Sequence, residues 1–338
     1  MVRVGIVGLG AFGEFQLQAL QGIPGVTISA VASRSESRAA EIAARYGIAR
    51  TCSQADELAA DETVDVVLVA TEETRHLDPA LAAIAHGKPV LVEKPLATSV
   101  ADAVAIAHAA RQADVILMPG HIVRFDARFL ALRRRVASGT LGRIAAIHAS
   151  RNRPRATLGT YGRCHPALVT AIHDIDAALW MLGECPVSVT GSQQLDAGPD
   201  GIYGIWGTFR FASGALLNVE ATWMMPDDSG LDCADHFAVT ATQGVAAIDL
   251  AAGGLRLLGA GRHEVPELGY QPLGNDSIGG ALQAELLHFL ALAEGRTSEP
   301  VVSPVDGVVA VIAANALIDA ATTSREVRID WSPLADLS

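Results

Sequence analysis

The sequence predicts a two-domain α/β protein, and three observations carry that prediction. At 338 residues, the chain exceeds the size at which a single hydrophobic core stops growing. In its first third, short apolar runs alternate with helical patterns, which is typical of a doubly wound parallel sheet. After residue 120 this alternation gives way to strand-rich stretches. We therefore predict one domain over residues 1–120 and a second over residues 121–338.

Composition narrows the classes of protein to which the chain can belong. Half of the residues are hydrophobic, and the formal net charge of -12 disfavours nucleic acid and anionic membrane surfaces as partners. We expect no apolar run of the roughly 18 residues that span a bilayer. Four scattered cysteines form no CxxC pair, and their spacing with histidines matches no zinc pattern. We predict a cytoplasmic protein with no metal and no membrane segment.

The first βα unit carries a glycine-rich turn. A β-branched apolar run, Val2–Val7, leads directly into it, and a helix-prone segment follows. Glycines in this position permit a tight turn, close approach to a pyrophosphate and close packing of helix against strand. The sequence therefore predicts dinucleotide binding at the helix N-terminus. The residues of the turn are Gly8, Leu9, Gly10, Ala11, Phe12 and Gly13.

Further βα units follow in the same third of the chain. Strands are predicted at residues 26–32, 64–70, 89–93 and 115–119, with helices at 36–46, 77–86 and 100–111. Ligands of such sheets bind at the carboxyl ends of the strands.

The end of the second predicted strand bears on cofactor choice. An NAD site usually has an acidic residue here to bind the ribose 2′-hydroxyl, but this chain has Ser33 and Arg34, with Arg38 further on. Hydroxyls and a guanidinium suit a 2′-phosphate, so we predict NADP(H), with NAD(H) possible. In the alternative, Arg34 stacks on adenine and Arg38 is a surface residue, which leaves dual specificity.

Lysine use in this chain is unusual. Only two residues, Lys88 and Lys94, are lysine, and the other twenty-three Lys or Arg positions are arginine. Arginine remains charged in proteins, so it fails wherever a proton must leave. Proton chemistry at Lys94 is one interpretation. The other is that two remaining lysines fell close together by chance.

Several motifs together resemble the Gfo/Idh/MocA oxidoreductases, a family that includes glucose-fructose oxidoreductase and inositol dehydrogenase. The resemblance covers nearly the whole chain, and the combination of EKP with HDxD is its most specific part. The matching residues are Gly8-Gly10-Gly13, Ala70-Thr71 with His76, Gly87-Lys88-Pro89-Val90, Glu93-Lys94-Pro95, the run from Gly120 to Phe125, His173-Asp174-Ile175-Asp176, Glu285 with Phe289, and Ser303 with Asp306-Gly307.

The resemblance implies a nicotinamide domain followed by an α/β domain with a large, mostly antiparallel open sheet. In the family that sheet lines the substrate site and often forms the subunit interface, so we expect a homodimer or homotetramer. It also implies a cis bond between Lys94 and Pro95. Ala70, Thr71, His76 and Glu93 become candidate cofactor contacts, although a solvated strand-end carboxylate remains an alternative for Glu93.

The resemblance also assigns the chemistry. Oxidation of a secondary alcohol needs a base for the hydroxyl proton, and Lys94 and His173 match the family residues that move it. Asp174 and Asp176 either orient His173 or bind substrate hydroxyls. Arg124 is a further candidate for substrate binding.

One position departs from the family pattern. Family members that oxidise inositol or sugars commonly carry an aspartate four residues before the histidine, and here that residue is Val169. Tyr161 or His165 could supply the missing polar group.

Three alternating arginines form another candidate feature. Arg151, Arg153 and Arg155 project from one face if they continue a strand, and we place Arg153 among the substrate contacts. Such a row could bind a carboxylate or phosphate, or it could be an exposed strand face.

Three functions fit these observations. The leading one is an NAD(P)-dependent dehydrogenase or reductase acting on a secondary hydroxyl of a sugar, polyol or derivative. A second retains its cofactor and uses transient oxidation to cleave a glycoside. A third is a cofactor-sensing regulator without catalysis.

Overall fold

The protein is described by a computed structural model covering residues 1–195, 201–249, 257–259, 262–264, 270, 272 and 278–337. The chain divides into two compact units. The first contains residues 1–125, 270–308 and 332–338, and the second contains residues 126–269 and 309–331. Residues 270–308 therefore cluster with the first unit, whereas the sequence-based boundary assigned them to the second domain.

Strands and helices alternate through the first part of the chain, and strands dominate afterwards. The strands are β1 (Val2–Val7), β2 (Val26–Ala32), β3 (Arg50–Cys52), β4 (Val66–Val69), β5 (Val90–Glu93), β6 (Leu117–Gly120), β7 (Ile144–Pro154), β8 (Pro186–Leu195), β9 (Ile202–Phe211), β10 (Leu216–Met225), β11 (Ala234–Ala241), β12 (Gly244–Asp249), β13 (Leu257–Gly259), β14 (Arg262–Glu264) and β15 (Val327–Arg328). The helices are α1 (Ala11–Gln21), α2 (Glu36–Tyr46), α3 (Ala55–Ala59), α4 (Leu77–Ala85), α5 (Val100–Gln112), α6 (Ala127–Ala137), α7 (Thr157–Tyr161), α8 (Ile172–Leu182), α9 (Gly280–Ala293) and α10 (Pro304–Thr323).

The first unit contains a six-stranded parallel sheet in the order β3-β2-β1-β4-β5-β6. This is the strand order of a doubly wound dinucleotide-binding fold, with the order reversing between β1 and β4. The parallel prediction is thus confirmed. β4 and β5 are buried throughout, as expected for strands that are covered on both faces. β3 was not predicted, because two of its three residues are exposed and it offers no apolar run.

α9 belongs to the first unit because its apolar face packs there. It contacts α1 and the short 3₁₀ turn Ile122–Phe125 that follows β6. Leu282, Leu286 and Phe289 on this helix are fully buried. A boundary drawn from the change of pattern after residue 120 could not detect this return of the chain.

The second unit contains a seven-stranded sheet in the order β12-β11-β7-β10-β9-β8-β15. β7 and β10 pair in parallel, and the other neighbours pair antiparallel, so the mostly antiparallel second sheet is confirmed. Burial alternates along the strands, as a sheet with one covered face requires. Ala149 on β7, for example, is buried with its partners Val219 on β10 and Phe237 on β11.

α10 corrects one expectation from the sequence. Over 20 residues it is long and apolar enough to cross a membrane by length and composition, but 61% of its most apolar window is buried inside the protein. Leu317 on this helix is fully buried, and a Cβ on Gly191 or Gly207 of the second sheet would collide with it. Packing against the sheet accounts for the apolar composition of the helix.

Candidate active site

The glycine turn after β1 is closely packed at two of its three glycines. Gly8 adopts a φ of +98°, and a Cβ there would fall on the carbonyl of Ala70 at the end of β4. A Cβ on Gly13 would fall on the carbonyl oxygen of Gly8. A Cβ on Gly10 would have no described neighbour within 4 Å. Packing within the protein therefore explains why positions 8 and 13 are glycine, whereas the space beside Gly10 is open.

The open space at Gly10 lies at a helix N-terminus. Gly10 is the N-cap residue of α1, which begins at Ala11, and it has no side chain that could cap the helix. The first backbone N–H groups of a helix lack partners within the helix, and they bind anions. Gly10, Ala11 and Phe12 thus fit the pyrophosphate of a dinucleotide.

The three residues after β2 differ in their availability to a ligand. Arg38 is used within the protein, because its guanidinium donates to the Leu9 carbonyl at 3.0 Å and to the carboxylates of Glu14 and Glu41. Arg34 is largely exposed, and its ion pair among the described residues is a 3.5 Å contact with Glu72. Ser33 Oγ accepts from the Ser35 amide at 3.2 Å. Of the two arginines proposed for the ribose, Arg34 is the accessible one.

His76 connects the turns that follow β4 and β5. Its Nδ1 lies 2.7 Å from the Pro95 carbonyl oxygen, and its Nε2 lies 3.2 Å from the Thr71 carbonyl oxygen. Burial lowers the pKa of His76 and so favours its neutral ring. A neutral ring has one N–H and can donate to only one of the two carbonyls, and the shorter distance favours Pro95. That hydrogen bond ties the turn after β4 to the Lys94-Pro95 segment. The described contacts of His76 are with the backbone, and its contact with a cofactor stays a prediction.

Lys94 follows β5 directly and is half-buried. Its peptide bond to Pro95 is cis, as the resemblance implies. The other lysine, Lys88, donates from Nζ to the Val64 carbonyl at 2.7 Å, so it has a structural task. The argument from lysine composition thus concerns Lys94 alone.

Glu93 is buried beside Lys94. Its Oε1 accepts from Gln16 Nε2 at 2.7 Å, and its Oε2 accepts from the Lys94 amide at 3.3 Å. Burial raises the pKa of Glu93 to about 7, although the Lys94 charge and the hydrogen bonds oppose that shift. The alternative of a solvated carboxylate at the strand end is wrong.

Two buried residues near Glu93 were not predicted as site residues. Gln16 on α1 and Glu285 on α9 are both fully buried. The signal in the sequence was a polar residue within an otherwise apolar helical pattern. That signal was available for Glu285, which was noted only as part of the family resemblance.

In the second unit, α8 carries the HDxD motif. His173 is half-buried, whereas Asp174 and Asp176 are buried. A π-helical turn, Ala167–Ala171, precedes α8, so the four-residue spacing assumed between Val169 and His173 does not place them one regular turn apart. Val169 is buried, and its neighbour Leu168 is also apolar. The family's aspartate is therefore missing whether its position is counted four or five residues before His173.

His165 forms hydrogen bonds within the protein through both ring nitrogens, one of them at the start of this helical segment. Its Nδ1 accepts from the Ala167 amide at 3.0 Å, so Nε2 carries the proton and donates to Gln193 Oε1 at 3.1 Å. Burial lowers the pKa of His165. Tyr161, at the end of α7, is half-buried near the Arg163 guanidinium. A role of Tyr161 or His165 in place of the missing aspartate stays a prediction.

Two of the three arginines in the predicted row, Arg151 and Arg153, belong to an ion-pair network. Arg151 is buried and donates from Nε and a terminal nitrogen to both oxygens of Asp174, at 3.0 and 2.9 Å. It also bonds Asp235, which Arg153 contacts as well. Although burial raises the pKa of Asp235, the two arginine charges outweigh it and lower that pKa. Arg155 follows the end of β7 and is exposed.

The network corrects two expectations. Arg151 and Arg153 have carboxylate partners within the protein, so they form neither an anion site nor an exposed strand face. Arg124, in the first unit, is likewise buried against Asp306 at 3.2 Å and the Val301 carbonyl at 3.0 Å. These partners explain Arg124 and Arg153 without a substrate. Among the described residues, no three His, Cys, Asp or Glu side chains are grouped to hold a metal ion.

The chain matches two family profiles. Residues 2–121 match that of an oxidoreductase family with an NAD-binding Rossmann fold, and residues 129–247 match the GFO/IDH/MocA C-terminal domain.

Individual proteins agree with these profiles. The chain is 36% identical to a 4-carboxy-2-hydroxymuconate-6-semialdehyde dehydrogenase of a Sphingobium species, over 41% of this chain and 44% of that protein. It is 34% identical to the 1,5-anhydro-D-fructose reductase of Ensifer adhaerens, over 64% of this chain and 68% of that protein. The crystal structure of GenD2 from gentamicin A biosynthesis in complex with NAD superposes with a TM-score of 0.82 at 25% identity, covering 97% of this chain and 96% of that one. The chain spans about half the length of several other curated relatives.

The buried network yields a prediction about stability. Arg151→Met removes the cation and leaves the Asp174 carboxyl buried without its partner, so the free energy of unfolding should fall by about 3–5 kcal/mol. Urea unfolding at neutral pH measures this. Arg134→Met, on the exposed surface of α6, is the control and should change stability by about 0.5 kcal/mol or less. Equal effects of the two substitutions would refute the structural role of Arg151.

Proposed function

Because the chain belongs to the Gfo/Idh/MocA oxidoreductase family, we propose that it is an NAD(P)-dependent dehydrogenase or reductase acting on a secondary hydroxyl or carbonyl. The observation that carries the proposal is the open N-terminus of α1 at Gly10, on the same sheet edge as Lys94. The carboxyl ends of parallel strands form that edge. When bound, the nicotinamide ring supplies the acceptor or donor of the hydride.

The protein's own residues bind the cofactor, position the site and transfer the proton. The amides after Gly10 hold the pyrophosphate, and His76 positions the Lys94-Pro95 segment through the Pro95 carbonyl. Lys94 accepts the hydroxyl proton at Nζ during oxidation and returns it during reduction, which an arginine could not do. His173 is the second proton-transfer residue. Asp174 is held by Arg151 and fixes the start of α8.

The substrate we propose is an uncharged sugar, polyol or related compound. The occupied arginines remove the support for a carboxylate or phosphate group at residues 151–153. A relative named 1,5-anhydro-D-fructose reductase supports a sugar-like substrate. Val169 is a buried apolar side chain at the position where family members that oxidise inositol or sugars commonly carry an aspartate, so we propose that the contacts with the substrate differ there.

We also propose that the protein forms a homodimer or homotetramer through the second sheet. Pairs on neighbouring strands, such as Trp206 with Glu220 and Thr208 with Asn218, hydrogen-bond across its outer face. Val245 is exposed on the edge strand β12. Such a face and edge suit pairing with a second copy.

The glycine turn gives a paired prediction. Gly10→Ala should fold with nearly unchanged stability, because Gly10 has an ordinary φ of -69° and open space around its Cβ position. Its methyl group should obstruct the pyrophosphate and weaken NADP⁺ and NAD⁺ binding by about tenfold or more. Gly13→Ala should instead lower stability, because its Cβ meets the Gly8 carbonyl. Fluorescence titration and thermal unfolding separate the two effects. Normal cofactor affinity in Gly10→Ala would refute the location of the site.

Cofactor preference gives a second prediction. We propose that NADP⁺ binds more tightly than NAD⁺, because no carboxylate ends β2 and Arg34 is accessible. Arg34→Ala should then reduce the NADP⁺-to-NAD⁺ affinity ratio by about tenfold or more, because the variant loses a charge-assisted hydrogen bond to the 2′-phosphate. Arg111→Ala is the control, because the last turn of α5 lies at the opposite edge of the parallel sheet. Tighter binding of NAD⁺ to the unaltered protein would contradict this preference.

The two lysines give a matched test of proton transfer. A screen of sugars, polyols and uronates, followed by NADPH or NADH absorbance, identifies the substrate. Lys94→Arg should keep cofactor binding but lower kcat by about 10²–10⁴-fold, whereas Lys88→Arg should retain activity. An active Lys94→Arg variant would exclude Lys94 from the proton path. Cofactor binding by the unaltered protein without turnover of any compound would instead favour a cofactor-sensing regulator.

A further inference from the structure

Two glutamate side chains in the first unit are buried, and the charge of one acts on the other. Glu93 ends β5 and is 6% exposed, and Glu285 lies on α9 and is 0% exposed. α9 packs against α1, whose Gln16 donates to Glu93. Neither carboxyl oxygen of Glu285 has a hydrogen-bond partner among the residues that the structure describes. Glu285 is therefore a fully enclosed acid that the reaction described above does not use.

Several charged or titratable groups of the described residues lie on the elements around this pair. His288 is on α9 itself, and burial lowers its pKa. Lys94 is next to Glu93 and favours its ionised form. His121 follows β6, the strand paired with β5. In the turn that α9 contacts, the guanidinium of Arg124 is paired with Asp306. Glu14 on α1 is held by Arg38 and Arg45. Among the residues that the structure describes, the positive charge that acts on Glu93 is that of Lys94.

An ionised carboxylate in such surroundings is unfavourable. An isolated buried charge loses its hydration, and two neighbouring carboxylates repel one another. Burial and the Glu93 charge raise the pKa of Glu285 well above its ordinary value. Glu93 has hydrogen bonds and Lys94 nearby, which oppose the rise of its pKa to about 7. The surroundings of Glu285 thus offer its ionised form less support than those of Glu93.

We propose that Glu285 remains protonated and that Glu93 carries the single titrating proton of the pair, coupling that proton to the redox form of the bound cofactor. The proposal rests on the proposed function, because it requires the nicotinamide near Glu93. The oxidised nicotinamide ring is cationic and the reduced ring is neutral, so ionised Glu93 favours the oxidised form. Binding linkage is reciprocal, so the oxidised form must in turn release the proton from Glu93.

The first test needs no cofactor. Infrared spectra of the protein at pH 8 should contain the carbonyl stretch of a protonated carboxylic acid. Glu285→Gln should abolish that band, and Glu299→Gln, at an exposed position, should keep it. Glutamine matches the shape of a neutral glutamic acid, so the fold should be retained. A spectrum unaffected by Glu285→Gln would overturn the assignment of the buried proton.

Unfolding gives a second measurement on the same variants. A glutamate in the unfolded chain has a pKa of about 4.3, so unfolding at neutral pH releases the proton that folded Glu285 holds. The stability of the unaltered protein should therefore fall as pH rises from about 5 to 8. The slope of the logarithm of the unfolding constant against pH counts the protons released on unfolding. In Glu285→Gln this number should be smaller by about one. An unchanged slope would overturn the proposal.

The second test concerns the linkage. Calorimetry in buffers of different ionisation enthalpy should detect net proton release when NADP⁺ or NAD⁺ binds near pH 6.5, and none when the reduced form binds. The ratio of oxidised to reduced affinity should rise up to about tenfold per pH unit below pH 7. Glu93→Gln should remove both effects.

The outcomes separate the two proposals. If both redox forms bind without proton release, the linkage is refuted while the proposed function stands. If neither form binds, the proposed function and the linkage both fail, and the infrared spectra still decide whether Glu285 holds a proton.

Discussion

Close backbone packing at the carboxyl end of β1 determines where a ligand can reach the first sheet. Gly8 and Gly13 bring the turn, α1 and the end of β4 so close that no side chain fits, while Gly10 remains open. His76 then ties the turn after β4 to Pro95 after β5. Because these contacts join neighbouring strand ends, the opening at Gly10 and the position of Lys94 belong to one edge of the sheet. The arrangement is set mainly by the backbone.

Arginine and lysine side chains have different roles in this protein. The arginines at 38, 124 and 151 each pair with carboxylates and hold elements of the fold together. A guanidinium suits that task because it stays charged and forms several directed hydrogen bonds. Lys94 has a neighbour, Glu93, with a pKa of about 7, so the charge at this point of the sheet edge can change at neutral pH. Fixed charges thus support the fold, and a variable charge lies where the proposed chemistry needs one.

The sequence predicted the parts of the structure that have a local pattern. Apolar runs with interleaved helices gave the parallel sheet, and GxGxxG located the open turn. Contacts between distant residues could not be derived in this way. The partners of Arg38, Arg153 and His76 decide whether these side chains face a ligand, and they come from other elements. The return of α9 to the first unit likewise depends on packing. Glu285 showed a signal, a charge in an apolar helix, but its proximity to Glu93 required the fold.

The account as a whole depends on a dinucleotide lying along the carboxyl ends of β1, β4 and β5. The most direct measurement is a crystal structure of the intact protein with the oxidised cofactor bound. It should place the pyrophosphate against the amides of Ala11 and Phe12, and the nicotinamide ring beside Glu93 and the Lys94 amine. A pyrophosphate bound elsewhere, or a nicotinamide ring remote from Lys94, would contradict the account.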